Sequence, residues 1–198
     1  MRSFIYLPAL ALLALAGCAG TGASTSTSTS PTVSASAVRD PSATVSIVNS
    51  LSFDNAMSGK RDGLRSAWPA ATLARSTELF PIAQIKQCDK GACSWGVLKA
   101  QRSFGKVQPV AGGVLVDVQV TIDVDRSQHA KGKDQDATLT IPADVIALKT
   151  ASAQSRSAVL KYGEVTRIDF AYGIRYELCA LRLDAARQPL DKCEVAYH

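Results

Sequence analysis

The side chains of this 198-residue chain best suited to chemistry are four clustered aspartates, a histidine beside them and five cysteines. The stretch DVDRSQHAKGKDQDA sets Asp123, Asp125, Asp134 and Asp136 around His129. Carboxylate oxygens at that density suit a hard divalent cation such as calcium, and flanking strands would bring the two aspartate pairs together at a hairpin mouth. Arg126, Lys131 and Lys133 interleave with the acids, however, and the spacing matches no EF-hand loop. A solvated hairpin loop is therefore the expected reading, with no cofactor. Nucleophilic hydrolysis lacks its parts. There are two histidines, one of them the last residue, and no G-x-S-x-G or H-E-x-x-H motif. A pair of carboxylates converging in space is the remaining enzymatic route, and no enzyme is expected.

Cys18 stands apart from the other cysteines. Met1-Arg2-Ser3 carries one positive charge, Phe4 to Leu15 is almost wholly apolar, and Ala16-Gly17 are small. That order describes an export signal. The apolar stretch spans about a dozen residues, against the ~20 that a bilayer-spanning helix requires, and Pro8 lies inside it. The ending Leu15-Ala16-Gly17-Cys18 resembles the lipobox of bacterial lipoproteins. The resemblance implies that residues 1–17 are a signal peptide and that Cys18 becomes the lipidated N-terminus, bearing palmitate-like chains. One acyl chain binds a membrane marginally, at about 0.8 kcal/mol per buried methylene, so three would make release negligible. Residue 19 is Ala and not Asp, which in that family implies the outer membrane, facing the periplasm.

Lipidation of Cys18 leaves Cys88, Cys93, Cys179 and Cys193. In an oxidising compartment thiols pair, and sequence proximity favours Cys88–Cys93 and Cys179–Cys193 among the three possible connectivities. The spacings fit neither a zinc knuckle nor a C-x-x-C redox motif. The first pair would pin a hairpin around Asp89-Lys90-Gly91-Ala92. The second closes a loop containing Arg187-Gln188-Pro189-Leu190-Asp191. A closed, proline-containing loop loses little entropy on docking, so these five residues form the candidate partner-binding loop.

Residues 18–44 are dominated by Ser, Thr and Ala with almost no large apolar group. Such composition cannot offset its ordering entropy, so a flexible linker with a reach of about 28 Å is expected. Residues 45–198 suffice for one domain with a real core. The net charge of +5 falls to +4 when Arg2 is removed with the signal. The basic residues are scattered and not interleaved with aromatics, so a nucleic-acid partner is not indicated.

Strand patterns dominate that domain. In GGVLVDVQVTIDVD (112–125), valines and one isoleucine alternate with polar residues, as a half-buried strand requires. Residues 137–148 read as its hairpin partner, with Pro142 marking an edge or bend. Pro81–Cys88 and Cys93–Phe104 read as the disulfide-tipped hairpin, and Val45, Ile47, Leu51 and Phe53 as a first strand. Val159–Asp184 reads as two strands with a turn at Ala171-Tyr172-Gly173, and Glu194–His198 as a short final strand. Residues 54–78 show no steady period and are expected to form one short helix or long loop, with Trp68 as its partly buried anchor or a partner contact. The expected fold is all-β: an antiparallel β-sandwich or partly open barrel.

These features imply a lipid-anchored envelope module, tethered to the membrane through Cys18, that contacts an envelope protein, a secreted protein or a wall component. The alternative is an immunity or inhibitor lipoprotein that blocks a cell-wall-degrading enzyme or toxin. A glycan- or lipid-acting enzyme is the third reading.

Overall fold

The computed structural model describes residues 44–131 and 136–195. The chain divides into two units, Met1–Ser36 and Ala37–His198, and the described residues belong to the second. Their strands are β1 (Thr44–Asp54), β2 (Arg61–Pro69), β3 (Thr77–Leu79), β4 (Ala83–Asp89), β5 (Ala92–Val110), β6 (Gly113–Asp125), β7 (Ser127–Lys131), β8 (Asp136–Thr140), β9 (Ile146–Ala147), β10 (Thr150–Lys161), β11 (Val165–Asp169) and β12 (Arg175–Leu183). One helical turn, α1 (Ala70–Leu73), and a 3-10 turn, Ala171–Gly173, complete the elements.

Two sheets face each other. One has the order β11-β12-β1-β2. The other has the order β10-β6-β5, with β3 and β4 both on the far side of β5. Val114, Val116, Val118, Val120, Ile122 and Val124 of β6 are all buried. Opposite them lie Ile47, Leu51 and Phe53 of β1 and Tyr176, Leu178 and Ala180 of β12, in one continuous core. The fold is the all-β sandwich that the alternation implied, and no barrel closes.

Several local expectations are corrected. β6 takes β5 and β10 as its antiparallel partners, not residues 137–148. Thr138 and Thr140 lie instead in β8, which pairs with β7 in a separate two-stranded sheet. Residues 54–78 hold the expected short helix, α1, but also a strand that the sequence did not suggest, β2. β2 pairs with β1 over nine residues, and only α1 is helical. The region between Val159 and Asp184 belongs to three strands, since Tyr162-Gly163-Glu164 turns the chain between β10 and β11. Glu194 and Val195 carry no strand, and residues 196–198 lie outside the described residues. The two longest strands that the sequence did not suggest, β2 and β10, are sheet edges. An edge buries few side chains, so it lacks the apolar alternation that marks a central strand.

Arg102 breaks the apolar pattern of β5 from within. Its side chain is 3 % exposed, pairs with Glu78 of β3 and lies with its guanidinium carbon 5.0 Å from the Phe104 ring centroid. Arg102 Nε, Arg102 Nη1 and Tyr176 Oη find no hydrogen-bond partner among the described residues. Burial pushes the Tyr176 hydroxyl pKa well up. A buried charge stripped of its partner is strongly destabilising, whereas replacing both members is often neutral. Glu78→Gln is therefore expected to lower unfolding free energy by about 3 kcal/mol. Adding Arg102→Met should recover most of that loss, read as the shift in urea midpoint. At Gly113 a Cβ would lie 2.2 Å from the Leu160 carbonyl oxygen. Gly113→Ala should cost about 1–3 kcal/mol by forcing β6 from β10.

Candidate functional site

The topology sorts the loops to two ends of the sandwich. β1 runs for 11 residues, about 35 Å at ~3.3 Å per residue. At its start lie Thr44, the β12 end at Leu183 and the loop that follows. At its far end the β1–β2 turn meets the base of the β4–β5 hairpin: the Ala56 amide donates to the Gln84 carbonyl, and Asn55 bridges Ile85. The 3-10 turn and the segment before β10 join that end too.

A polar network fixes this second end. Gln87 Nε2 donates to Asp54 Oδ2 at 3.0 Å and to the Tyr172 carbonyl at 2.9 Å. Arg61 Nη2 donates to Ser52 Oγ and to the Gly173 carbonyl, each at 2.9 Å. Tyr172 Oη donates to the Lys149 carbonyl at 2.9 Å. Tyr172 has φ 59° and Gly173 φ 67°, a left-handed turn that exposes both carbonyls to these donors. The network draws on β1, β2, β4 and the segment before β10, and so ties the two sheets together.

From that fixed base the hairpin projects. The last β5 pair with β6 is Val97↔Asp125; β9 then covers Ser94 and Trp95 on that side, and the hairpin tip from Cys88 to Cys93 extends past both. Cys88 and Cys93 are directly opposed in register and form one disulfide, and Lys90 and Gly91 take positive φ in the turn. Lys86 Nζ sits 5.3 Å from the Trp95 ring centroid on the stalk. The two most exposed large apolar side chains of the described domain lie on the segments flanking this hairpin, Met57 at 88 % and Ile146 at 64 %. Ile146 reaches its place through the short parallel pairing Ser94↔Ile146. A stiff hairpin flanked by exposed apolar groups is a protein-docking geometry. Sequence reading found the hairpin, but not Met57 or Ile146, because exposure of a lone apolar residue carries no periodic signal.

The predicted partner loop is equally well pinned. Cys179–Cys193 is the second disulfide. Arg182 Nε and Nη2 donate to the two Asp191 carboxylate oxygens at 3.0 and 2.8 Å, and the Arg182 amide donates to Asp191 at 2.8 Å. The Leu190 amide donates to the Arg182 carbonyl, and Pro189 bridges Leu183. Arg187, Gln188, Pro189 and Leu190 are exposed. The loop stands at the Thr44 end, away from the projecting hairpin.

The described members of the acidic cluster, Asp123, Asp125 and Asp136, do not come together. Asp123 is cross-strand from Lys99. Asp125 pairs with Lys149 at 3.5 Å, and the Arg126 amide donating to it holds its carboxyl below the usual range. Asp136 pairs with Lys131 at the end of β7 away from Asp125, with His129 Nε2 at 3.6 Å. The length of β7 separates it from Asp125. Asp134 lies outside the described residues, as does Cys18, and no metal-ligating group of three occurs among the described residues. Trp68 lies on edge strand β2, 46 % exposed. Ser103 and Lys106, an S-x-x-K spacing, flank a bulge in extended β5. No hydrogen bond joins them, so they make no serine–lysine dyad.

The Asp191 pairing has a pH signature. The hydrogen bond from Arg182 lowers the Asp191 pKa, so the carboxylate stabilises the loop above the ordinary carboxylate pKa and loses that effect as pH falls through its lowered value. Amide exchange of Leu190 and Arg182 should stay protected at neutral pH and accelerate only in acid, and Asp191→Asn should remove the protection at every pH. No protein-family model, curated protein or solved structure matches the chain.

Proposed function

We propose that this protein is a lipid-anchored envelope module, held at the outer membrane through Cys18 and facing the periplasm, that binds a protein partner through the end bearing the Cys88–Cys93 hairpin. One observation supports this reading most. The projecting hairpin and the exposed Met57 and Ile146 share the end opposite Thr44, where the chain arrives from its tether. The polar network beneath the hairpin lowers the ordering cost of docking. No helix among the described residues is long and apolar enough to cross a membrane.

The inhibitor reading is supported by a different feature. The 187–191 loop is pre-ordered by a disulfide, a two-pronged ion pair and three backbone hydrogen bonds, as a rigid inhibitory loop would be. Among the described residues no cluster of carboxylates in a cleft supports the enzymatic reading.

Two experiments test these readings. Labelled palmitate should be incorporated by the full-length chain in a bacterial host and lost in Cys18→Ser; incorporation that survives would remove the anchor. The full-length protein, solubilised in non-ionic detergent, should then capture a stoichiometric envelope partner. Met57→Asp and Ile146→Asp should each abolish capture, and Leu190→Asp should leave it intact. The reverse pattern, with a wall hydrolase or toxin as the captured protein, would favour the inhibitor.

A further inference from the structure

The outer face of the β11-β12-β1-β2 sheet carries two unlike halves. Toward the Thr44 end, Val48, Cys179 and Leu181 form a small apolar cluster covered by Val195 and Cys193. Toward the other end the face is ionic. Arg167, Glu177, Ser50 and Arg65 form one cross-strand row, and Asp169, Arg175, Ser52 and Gly63 the next. Glu177 is buried, with its side chain 2 % exposed beside Arg167 at 57 %.

The contacts orient these guanidiniums. Arg167 Nε donates to Glu177 Oε1 at 2.8 Å, and Arg175 Nε donates to Asp169 Oδ1 at 2.7 Å. Both carboxylate contacts use the inner nitrogen, so the Nη groups of Arg167 and Arg175 keep donors that these two bonds do not use. Arg156 enters from β10 of the other sheet. Its Nη1 donates to the Arg167 carbonyl at 2.9 Å, and Gln154 Nε2 donates to the Asp169 carbonyl at 2.9 Å. Between the two edges lies a polar hollow of about 270 Å³, lined by Gln154, Ser155, Arg156, Arg167, Ile168 and Asp169. Asp169 is neutralised by Arg175 and Glu177 by Arg167, so the Arg156 charge has no carboxylate of its own in this hollow.

We propose that the seam between β10 and β11 is an oxyanion-binding site, in which Arg156 and Arg167, with Arg175 beside them, hold a phosphate or carboxylate group of a ligand. Guanidinium forks match both groups in a two-pronged way. Here their orientation is set in advance by a buried carboxylate and a backbone carbonyl. One uncompensated positive charge suits a singly charged group, such as a phosphodiester or a sugar carboxylate. The site lies on a side of the sandwich and does not depend on the docking reading of the hairpin end.

Calorimetric titration of the full-length protein in non-ionic detergent at low salt tests this, with inorganic phosphate, sodium glucuronate and glucose as probes. Saturable binding of phosphate, glucuronate or both is expected, with none of glucose, and the preferred anion identifies the ligand's group. Arg156→Gln should weaken binding about tenfold, the loss of one charge-assisted contact. Arg167→Lys keeps a cation beside Glu177 and so preserves the fold, but removes the fork, and should weaken binding similarly. Arg187→Gln, on the distant loop, should change nothing. No saturable heat up to tens of millimolar anion would overturn the proposal. So would unchanged affinity in both seam variants, or equal weakening in Arg187→Gln.

Discussion

The apolar face of β6 is the constraint on which the remainder depends. Six alternate side chains from Val114 to Val124 reach 3 % exposure or less. Full burial of each contributes roughly 1.5 kcal/mol or more, so this face cannot be left to solvent. One sheet cannot bury its own face, which makes the second sheet obligatory. Leu51, Tyr176 and Leu178 supply the cover. β6 occupies an interior position between β5 and β10 because a strand so apolar on one face is best shielded away from an edge.

Two packed sheets leave open seams, and this protein closes them with polar groups. Gln154 and Arg156 of β10 cap carbonyls of β11 on one side. On the other, Arg102 and Glu78 form an ion pair at the margin of the core. Asn49 is buried in β1 and exchanges hydrogen bonds with Ser66 of β2. Buried polar groups are tolerated only where partners meet them, so the seams specify how the sheets align while the core supplies most of the stabilisation. That division explains why the edges hold the oriented arginines. A side chain that caps a neighbouring edge keeps donors that the sheet itself does not use.

The disulfides act on loops, not on the core. Cys88–Cys93 stiffens a hairpin whose tip extends past the neighbouring strands, and Cys179–Cys193 straps the C-terminal segment over an apolar cluster that the two sheets do not cover. Both place order where the backbone has few neighbours, which is where recognition surfaces form.

The chain's own residue order determined the strand class, the β6 face, the turn at Ala171-Tyr172-Gly173 and both cysteine pairings, because each is a local signal of period two, turn chemistry or proximity. The edge strands β2 and β10 were not legible. Residues 150–158 contain no large apolar side chain, and their strand exists because β6 offers a free edge. The acidic stretch offered a cation site only as the weaker reading, and its geometry lay beyond the sequence: pairing set Asp125 against Lys149 and carried Asp136 to the far end of β7, opposite Lys131. The hairpin end and the arginine seam were invisible for the same reason. Met57, Ile146, Arg156 and Arg167 are far apart in the chain, and which of them share a surface is fixed by strand order. That is a property of long-range pairing, which no local pattern records.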